Sequence, residues 1–198
     1  MVGGHVYVQE KNFPPKLNKK YLLGLHSSSE SFGVGVMDLS DSSQNIKNAV
    51  FETGRELSNK VFECIDNVLP FQDWKQICRL SVATGPGGFT GTRITIALSR
   101  TIAQQLKCEL DGVSSFALMA KRIHSQNNLA NSDKPFWIIQ SLKRRGLIGG
   151  LYQIKGKSSI AYCDQVIEIQ PPHLLEKQIN LDHAIHYRED IKMDIIEL

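Results

Sequence analysis

The sequence lacks any apolar run of the roughly 20 residues that a membrane-spanning helix needs, so it predicts no transmembrane segment. Residues 1–20 also lack the apolar middle region of a secretory signal. We expect this stretch to be a loose N-terminal extension in which Val6–Val8 could add a short edge strand. The four cysteines form no CxxC pair, and without a signal they predict reduced thiols in a cytosolic protein. They are Cys64, Cys78, Cys108 and Cys163.

A strong excess of either charge is also lacking. The chain has 23 Lys and Arg against 20 Asp and Glu, for a net charge of +3 over 198 residues. A nucleic-acid partner is usually marked by a dense basic patch, which this balance does not predict. The basic run at Lys143, Arg144 and Arg145 is short enough to be a solvated turn. Hydrophobic residues make up 41%, which is ordinary for a globular chain that forms one domain or two small lobes.

The pattern along the chain predicts two α/β lobes: an N-terminal lobe over residues 21–110 and a reduced C-terminal lobe over 111–198. In the first lobe, we expect a three-strand meander followed by a helix–strand–helix unit. These elements are Leu22–His26, Phe32–Leu39, Ala49–Thr53, Arg55–Leu69, Arg79–Ala83 and Thr92–Leu106. A further helix begins near Ser114 or Ser115. The second half predicts strands at Phe136–Gln140, Leu147–Ile154 and Ile160–Ile169, then a helix after the prolines of "QPPHLLEKQ".

A glycine-rich loop, "ATGPGGFTGTR", lies between the predicted strand ending at Ala83 and the next helix. In this setting backbone amides can converge on an anion, and threonine hydroxyls can add donors. The residues of this candidate nucleotide or anion loop are Gly85, Gly87, Gly88, Thr90 and Gly91. The loop is not a Walker A motif, because the GK[ST] ending is absent. The favoured alternative is a tight turn whose glycines let the strand and helix pack closely.

The segments "GPGGFTGTRITIALSRTIAQ" and "DGVSSFALMA" resemble the TsaB (YeaZ) family. The match extends over Tyr21–Ala120 and includes the "REL-S" start of the first helix and its "LP" ending. The resemblance implies the ASKHA fold of actin, chaperone ATPases and sugar kinases, which has two RNase H-like lobes. In this chain the C-terminal lobe would be abbreviated.

The resemblance also implies a role. TsaB-like proteins are non-catalytic dimerisation subunits in the synthesis of threonylcarbamoyladenosine (t6A) beside the tRNA anticodon. They pair with a paralogue, TsaD, which carries the transfer, and a small ATPase, TsaE, docks on the pair. Contact with tRNA would then be indirect or weak, and a homodimer formed without TsaD stays an open alternative.

Residues expected of a catalytic ASKHA protein are missing from this chain. His26 stands where the family usually keeps an acid, and imidazole is a poor ligand for Mg²⁺. Ser141 lies nearest the place of a second acid, and only Gly156 follows Gly150, so no adenosine loop is predicted. We therefore expect no catalytic residue, metal or cofactor. The alternatives are a residual nucleotide-binding ATPase or a peptidase-like protein, although neither HExxH nor a Ser–His–Asp order is evident.

Two helices have wide apolar faces. At 100° per residue, the apolar positions of the first span about 160°, more than a simple surface helix needs. This surplus favours a partner surface over the alternative that the helices lie at the centre of their own domain. The resemblance implies that the partner is the TsaD-like paralogue, and a Val61→Glu substitution would then abolish pairing without unfolding the lobe. The predicted interface residues are Leu57, Val61, Cys64, Val68, Thr95, Leu98, Ser99 and Ile102.

Overall fold

A computed structural model describes residues 19–42, 45–126, 134–142, 146–155, 165–175 and 184–187. The N-terminal half contains β1 (Tyr21–His26), β2 (Ser31–Asp38), β3 (Ile46–Glu52), α1 (Leu57–Val68), β4 (Ile77–Ala83), α2 (Phe89–Leu106) and β5 (Glu109–Val113). Short 3-10 turns at Gly54–Glu56 and Phe71–Gln76 flank α1. The rest contains α3 (Ser115–Gln126), β6 (Phe136–Leu142), β7 (Gly146–Lys155), β8 (Gln165–Leu174) and β9 (Ala184–Tyr187). The predicted Val6–Val8 strand lies outside the described residues.

The first sheet has the strand order β3-β2-β1-β4-β5. The first three strands form the predicted antiparallel meander, and β4 and β5 continue the sheet in parallel with β1. Parallel neighbours need crossover connections, which α1 and α2 supply. This order is the arrangement expected of an RNase H-like lobe.

The core of this lobe lies between one face of the sheet and the two helices. Alternate strand residues supply the sheet side, because successive side chains of a strand point to opposite faces. Leu23, Leu25, Leu80 and Val82 are buried there against α1 and α2.

The lobe also holds three free cysteines, Cys64, Cys78 and Cys108, whereas Cys163 lies outside the described residues.

The first residues of both helices differ by a few positions from the predicted ones. Residues Gly54–Glu56 form a 3-10 turn, so α1 begins only at Leu57, and it ends before the extended Leu69 that precedes Pro70. Helix α2 begins at Phe89 rather than Thr92 and ends at Leu106 as predicted, before Lys107, which has a left-handed φ of 54°. Neither α1 nor α2, nor α3 as far as it is described, has the length and apolarity needed to cross a membrane.

The second sheet has the order β8-β7-β6-β9 and packs against α3. Phe116 and Ala120 of α3 are fully buried against Phe136, Ile138 and Tyr152 of the sheet. Helix α3 therefore follows β5, the last strand of the first sheet, but packs in the core of the second sheet.

The helix predicted after the two prolines does not begin at His173 or Leu174, and residues 176–178 lie outside the described residues. Strand β8 continues through Pro171 and Pro172 to Leu174, which pairs with Ile148. Proline has no amide hydrogen to donate but suits an edge strand, and β8 is the terminal strand of its sheet. The sequence analysis also missed β9, in which His186 is paired with Ile139.

Candidate functional site

A serine turn, Ser27–Ser29, follows β1 and packs against the start of α2. Ser27 is buried, and its hydroxyl lies 2.6 Å from Thr95 Oγ1. The Thr95 hydroxyl donates in turn to the carbonyl of Gly91 at 3.0 Å. Because a hydroxyl has one hydrogen to donate, Ser27 is the donor to Thr95. This chain of two bonds fixes the end of β1 to the first turns of α2.

The glycine loop closes directly onto that turn. The Gly88 amide donates to the Ser28 carbonyl at 2.7 Å. A Cβ atom at Gly87 would lie 2.5 Å from Ser28 Cα and closer still to its carbonyl oxygen, and one at Gly91 would lie 2.9 Å from the Ser27 oxygen. Real Cβ atoms essentially never come within 3.0 Å of such neighbours. Gly87 and Gly91 therefore admit the serine backbone where any side chain would collide with it.

The same loop is also tied to α3. Gly85 has a φ of +92°, a left-handed conformation that favours glycine. Its carbonyl accepts a hydrogen bond of 2.8 Å from the Ser115 amide, and the Ser115 hydroxyl is hydrogen-bonded to that of Ser28. The loop is thus a junction of β1, α2 and α3.

These contacts favour the packing interpretation of the loop over the anion interpretation. The Gly88 amide is already used by Ser28, and the Thr92 amide donates to the Gly88 carbonyl at 3.0 Å. Thr90 is exposed. Binding of a nucleotide by Gly85, Gly87, Gly88, Thr90 and Gly91 stays a prediction.

His26 lies at the end of β1, next to the serine turn. Its Nδ1 atom is buried and has no partner among the described residues. Burial lowers the pKa of the imidazole below its ordinary value of 6.5, because desolvation disfavours the charged form. A neutral imidazole offers nitrogen, whereas Mg²⁺ prefers oxygen ligands. Within the described ranges, no three His, Cys, Asp or Glu side chains cluster as metal ligands would. These residues do not fit the magnesium site that the fold family implies.

A polar cluster links α3 to the second sheet, and the sequence analysis did not find it. Ser114 caps α3 by accepting the Ala117 amide at 3.0 Å, and its hydroxyl lies 2.6 Å from Glu168 Oε2. The buried Tyr152 hydroxyl donates to the same carboxylate oxygen at 2.9 Å. Burial raises the pKa of Tyr152. Only the capping serine had a sequence signal, because the three residues come from distant parts of the chain.

The structure places most of the predicted interface residues inside their own lobe. Leu57, Val61, Cys64 and Val68 are at most 4% exposed and pack in the core beneath the sheet. Thr95, Ser99 and Ile102 are also buried, and Leu98 is partly buried. The wide apolar arc is covered by the lobe's own sheet, so the assignment of the seven buried side chains to an interface is corrected, whereas that of Leu98 stays a prediction. The expected outcome for Val61→Glu is corrected too, because it would place a charge in the core.

The surface that the two helices do expose is polar or mixed. On α1, Asn59, Lys60, Phe62 and Glu63 face outward. On α2, the exposed residues form an arc opposite the buried side: Phe89, Thr90, Arg93, Ala97, Arg100, Thr101, Gln104 and Gln105.

Comparison with known proteins connects this geometry to a family. A family model described as "TsaD: tRNA N6-adenosine threonylcarbamoyltransferase" matches residues 51–193, more than half of the chain. YeaZ from Pseudomonas aeruginosa has a similar structure, with 19% identity, a TM-score of 0.55, and coverage of 75% of this chain and 67% of that one. A protein from Pseudomonas aeruginosa described as similar to peptidase YeaZ gives 20% identity, a TM-score of 0.56 and the same coverages. The curated proteins include no match to this sequence.

These findings confirm the predicted ASKHA fold and the predicted resemblance to TsaB (YeaZ). The chain belongs to the TsaD (tRNA N6-adenosine threonylcarbamoyltransferase) family and has the fold of YeaZ.

Proposed function

We propose that this protein acts in threonylcarbamoyl modification of tRNA as a non-catalytic subunit. The observation that carries the proposal is His26, a partly buried imidazole whose Nδ1 atom has no partner among the described residues and whose pKa is lowered by burial, at the position where an ASKHA enzyme needs an acid. The family description supplies the reaction in which the subunit would act. The close contact of the Ser27–Ser29 turn with Gly87 supports the same conclusion, because it gives the glycine loop a packing role.

Its partner in this proposal is a TsaD-like paralogue, bound through the exposed faces of α1 and α2. Both helices lie on one side of the lobe and pack on the sheet through their buried faces, which leaves the opposite faces uncovered by any described element. Phe62, which is 48% exposed on α1, supplies apolar area on this surface. A TsaE-like ATPase would dock on the pair, and tRNA contact would fall mainly to the partner.

Reconstitution from purified components tests the proposal. The reaction combines tRNA and ATP with four proteins: the synthase that makes the threonylcarbamoyl-adenylate, the TsaD-like paralogue, the TsaE-like ATPase and this protein. Each protein is omitted in turn. Threonylcarbamoyladenosine is then measured by mass spectrometry of the digested tRNA. We expect modification to require this protein and to persist with His26→Ala. Equal modification without it contradicts the proposed role, and loss of modification with a folded His26→Ala protein contradicts the non-catalytic assignment.

A further inference from the structure

Helix α2 carries a row of positive charge with no negative charge beside it on the same helix. Arg93, Arg100 and Lys107 are exposed and seven residues apart, and Phe89–Leu106 contains no Asp or Glu. At 100° per residue, a step of seven residues returns to within about 20° of the same direction. At a rise of 1.5 Å per residue, neighbouring charges are separated by about 10.5 Å along the axis. Arg93 and Arg100 therefore lie on one side of the helix, and Lys107 follows directly after its last residue in a left-handed conformation with a φ of 54°.

These three cations have no ion pair with any residue in the described ranges, whereas some other cations of the lobe are paired. Lys60 is paired with Glu56, and Arg79 contacts both Asp111 and Glu109. The guanidinium of Arg93 lies instead over the exposed ring of Phe89, 3.8 Å from its centroid. This stacking holds the Arg93 side chain in place and leaves its hydrogen-bond donors available to another molecule.

Small side chains border the row on its solvent side. Thr90, Ala97 and Thr101 are exposed and, with the longer Gln104, occupy the adjacent strip of α2. Short side chains let a second helix approach closely, since the distance between packed helices depends on the side chains at the contact. A seven-residue repeat is also the interval at which a helix packed alongside presents the same face again.

We propose that the row Arg93–Arg100–Lys107 receives a partner helix that carries acidic side chains at seven-residue intervals. The inference rests on the proposed pairing with a TsaD-like paralogue and narrows it to the chemistry of the partner's helix. An acidic helix is favoured over RNA because three charges spaced about 10.5 Å apart match a heptad. They do not form the dense basic patch that is typical of a nucleic-acid surface.

Charge reversal on the full-length protein tests this inference. Binding to the purified TsaD-like paralogue is measured by titration calorimetry for the wild type, Arg93→Glu, Arg100→Glu and Arg100→Lys. Lys155→Glu is the matched control, because Lys155 is an exposed cation at the end of β7 in the second lobe. All substitutions lie at exposed positions, and a thermal melt of each variant checks that it is folded.

We expect Arg93→Glu and Arg100→Glu each to weaken pairing roughly 10-fold or more, because like charges are then brought together. Arg100→Lys and Lys155→Glu should bind within about 2-fold of the wild type. Added salt should weaken wild-type pairing more than that of Arg100→Glu, since screening acts on the attraction. An acid-to-lysine substitution on the partner helix should restore the affinity of Arg100→Glu.

The contrary results are distinguishable. If the wild type pairs and both reversals pair equally well, the acidic-helix inference is overturned while the proposed pairing stands. If the wild type does not bind the paralogue, the proposed pairing is overturned and the inference with it. A parallel titration with tRNA covers the other partner class. Loss of tRNA binding by Arg100→Glu with intact pairing would assign the row to RNA and reject the acidic helix.

Discussion

Gly87→Ala tests whether the glycine loop serves packing or ligand binding. The added Cβ atom would lie 2.5 Å from Ser28 Cα and closer to the Ser28 carbonyl oxygen. Because those neighbours are mainly backbone atoms, no rotation of a flexible side chain relieves the collision. The serine turn and the loop have to separate.

The expected cost has three parts. Forced overpacking typically costs about 1–3 kcal/mol. Separation would also weaken the hydrogen bond from the Gly88 amide to the Ser28 carbonyl, a bond of the kind worth about 0.5–1.5 kcal/mol. Alanine lowers the entropy of the unfolded chain, which returns about 0.4–1 kcal/mol. The net loss in the free energy of unfolding is therefore about 2 kcal/mol. For a chain of this size it corresponds to a fall in Tm of about 4–8 °C.

Urea denaturation of the wild type, Gly87→Ala and Gly35→Ala measures this loss. Gly35 is the matched control, because a Cβ atom there would meet nothing within 4 Å. We expect Gly35→Ala to be as stable as the wild type or slightly more stable. The packing interpretation is refuted if Gly87→Ala keeps the stability of the wild type. Retained stability together with reduced nucleotide binding would establish the ligand interpretation in its place.

Two further predictions follow from burial. Val61→Glu should lower the free energy of unfolding by about 3 kcal/mol or more, because Val61 is 3% exposed and an unpaired charge would enter the core. Asn59→Glu, on the exposed face of the same helix, should stay within about 0.5 kcal/mol by the same urea assay, and equal losses would refute the burial assignment. The second prediction concerns pH. Since the folded-state pKa of His26 is lowered, the unfolded chain takes up a proton first as the pH falls below 6.5, and the free energy of unfolding should decrease there. His26→Gln should show a smaller decrease between about pH 7 and pH 5, and identical pH profiles would contradict a buried neutral imidazole.

Most secondary structure of the first lobe could be predicted from the sequence. The alternation in Leu22–His26 and Phe32–Leu39, and the apolar periodicity before Pro70, are local patterns that a strand or helix must satisfy by itself. The second half was less predictable. Prolines indicate a break in most settings, and only the position of β8 at the edge of its sheet makes a strand through Pro171 and Pro172 acceptable.

The sequence by itself determined the order of the elements of the first lobe, the place of the glycine loop, the family resemblance and the histidine where an acid is usual. Each depends on residues close together in the chain. Tertiary structure alone decided what covers each surface. It placed Val61 and Thr95 in the lobe's own core, brought Ser28 against Gly87, and joined Ser114 to Tyr152 and Glu168. A helix pattern records how much apolar surface must be covered, but the covering element comes from distant parts of the chain or from another molecule. Which element covers a helix face is therefore a property of the tertiary structure.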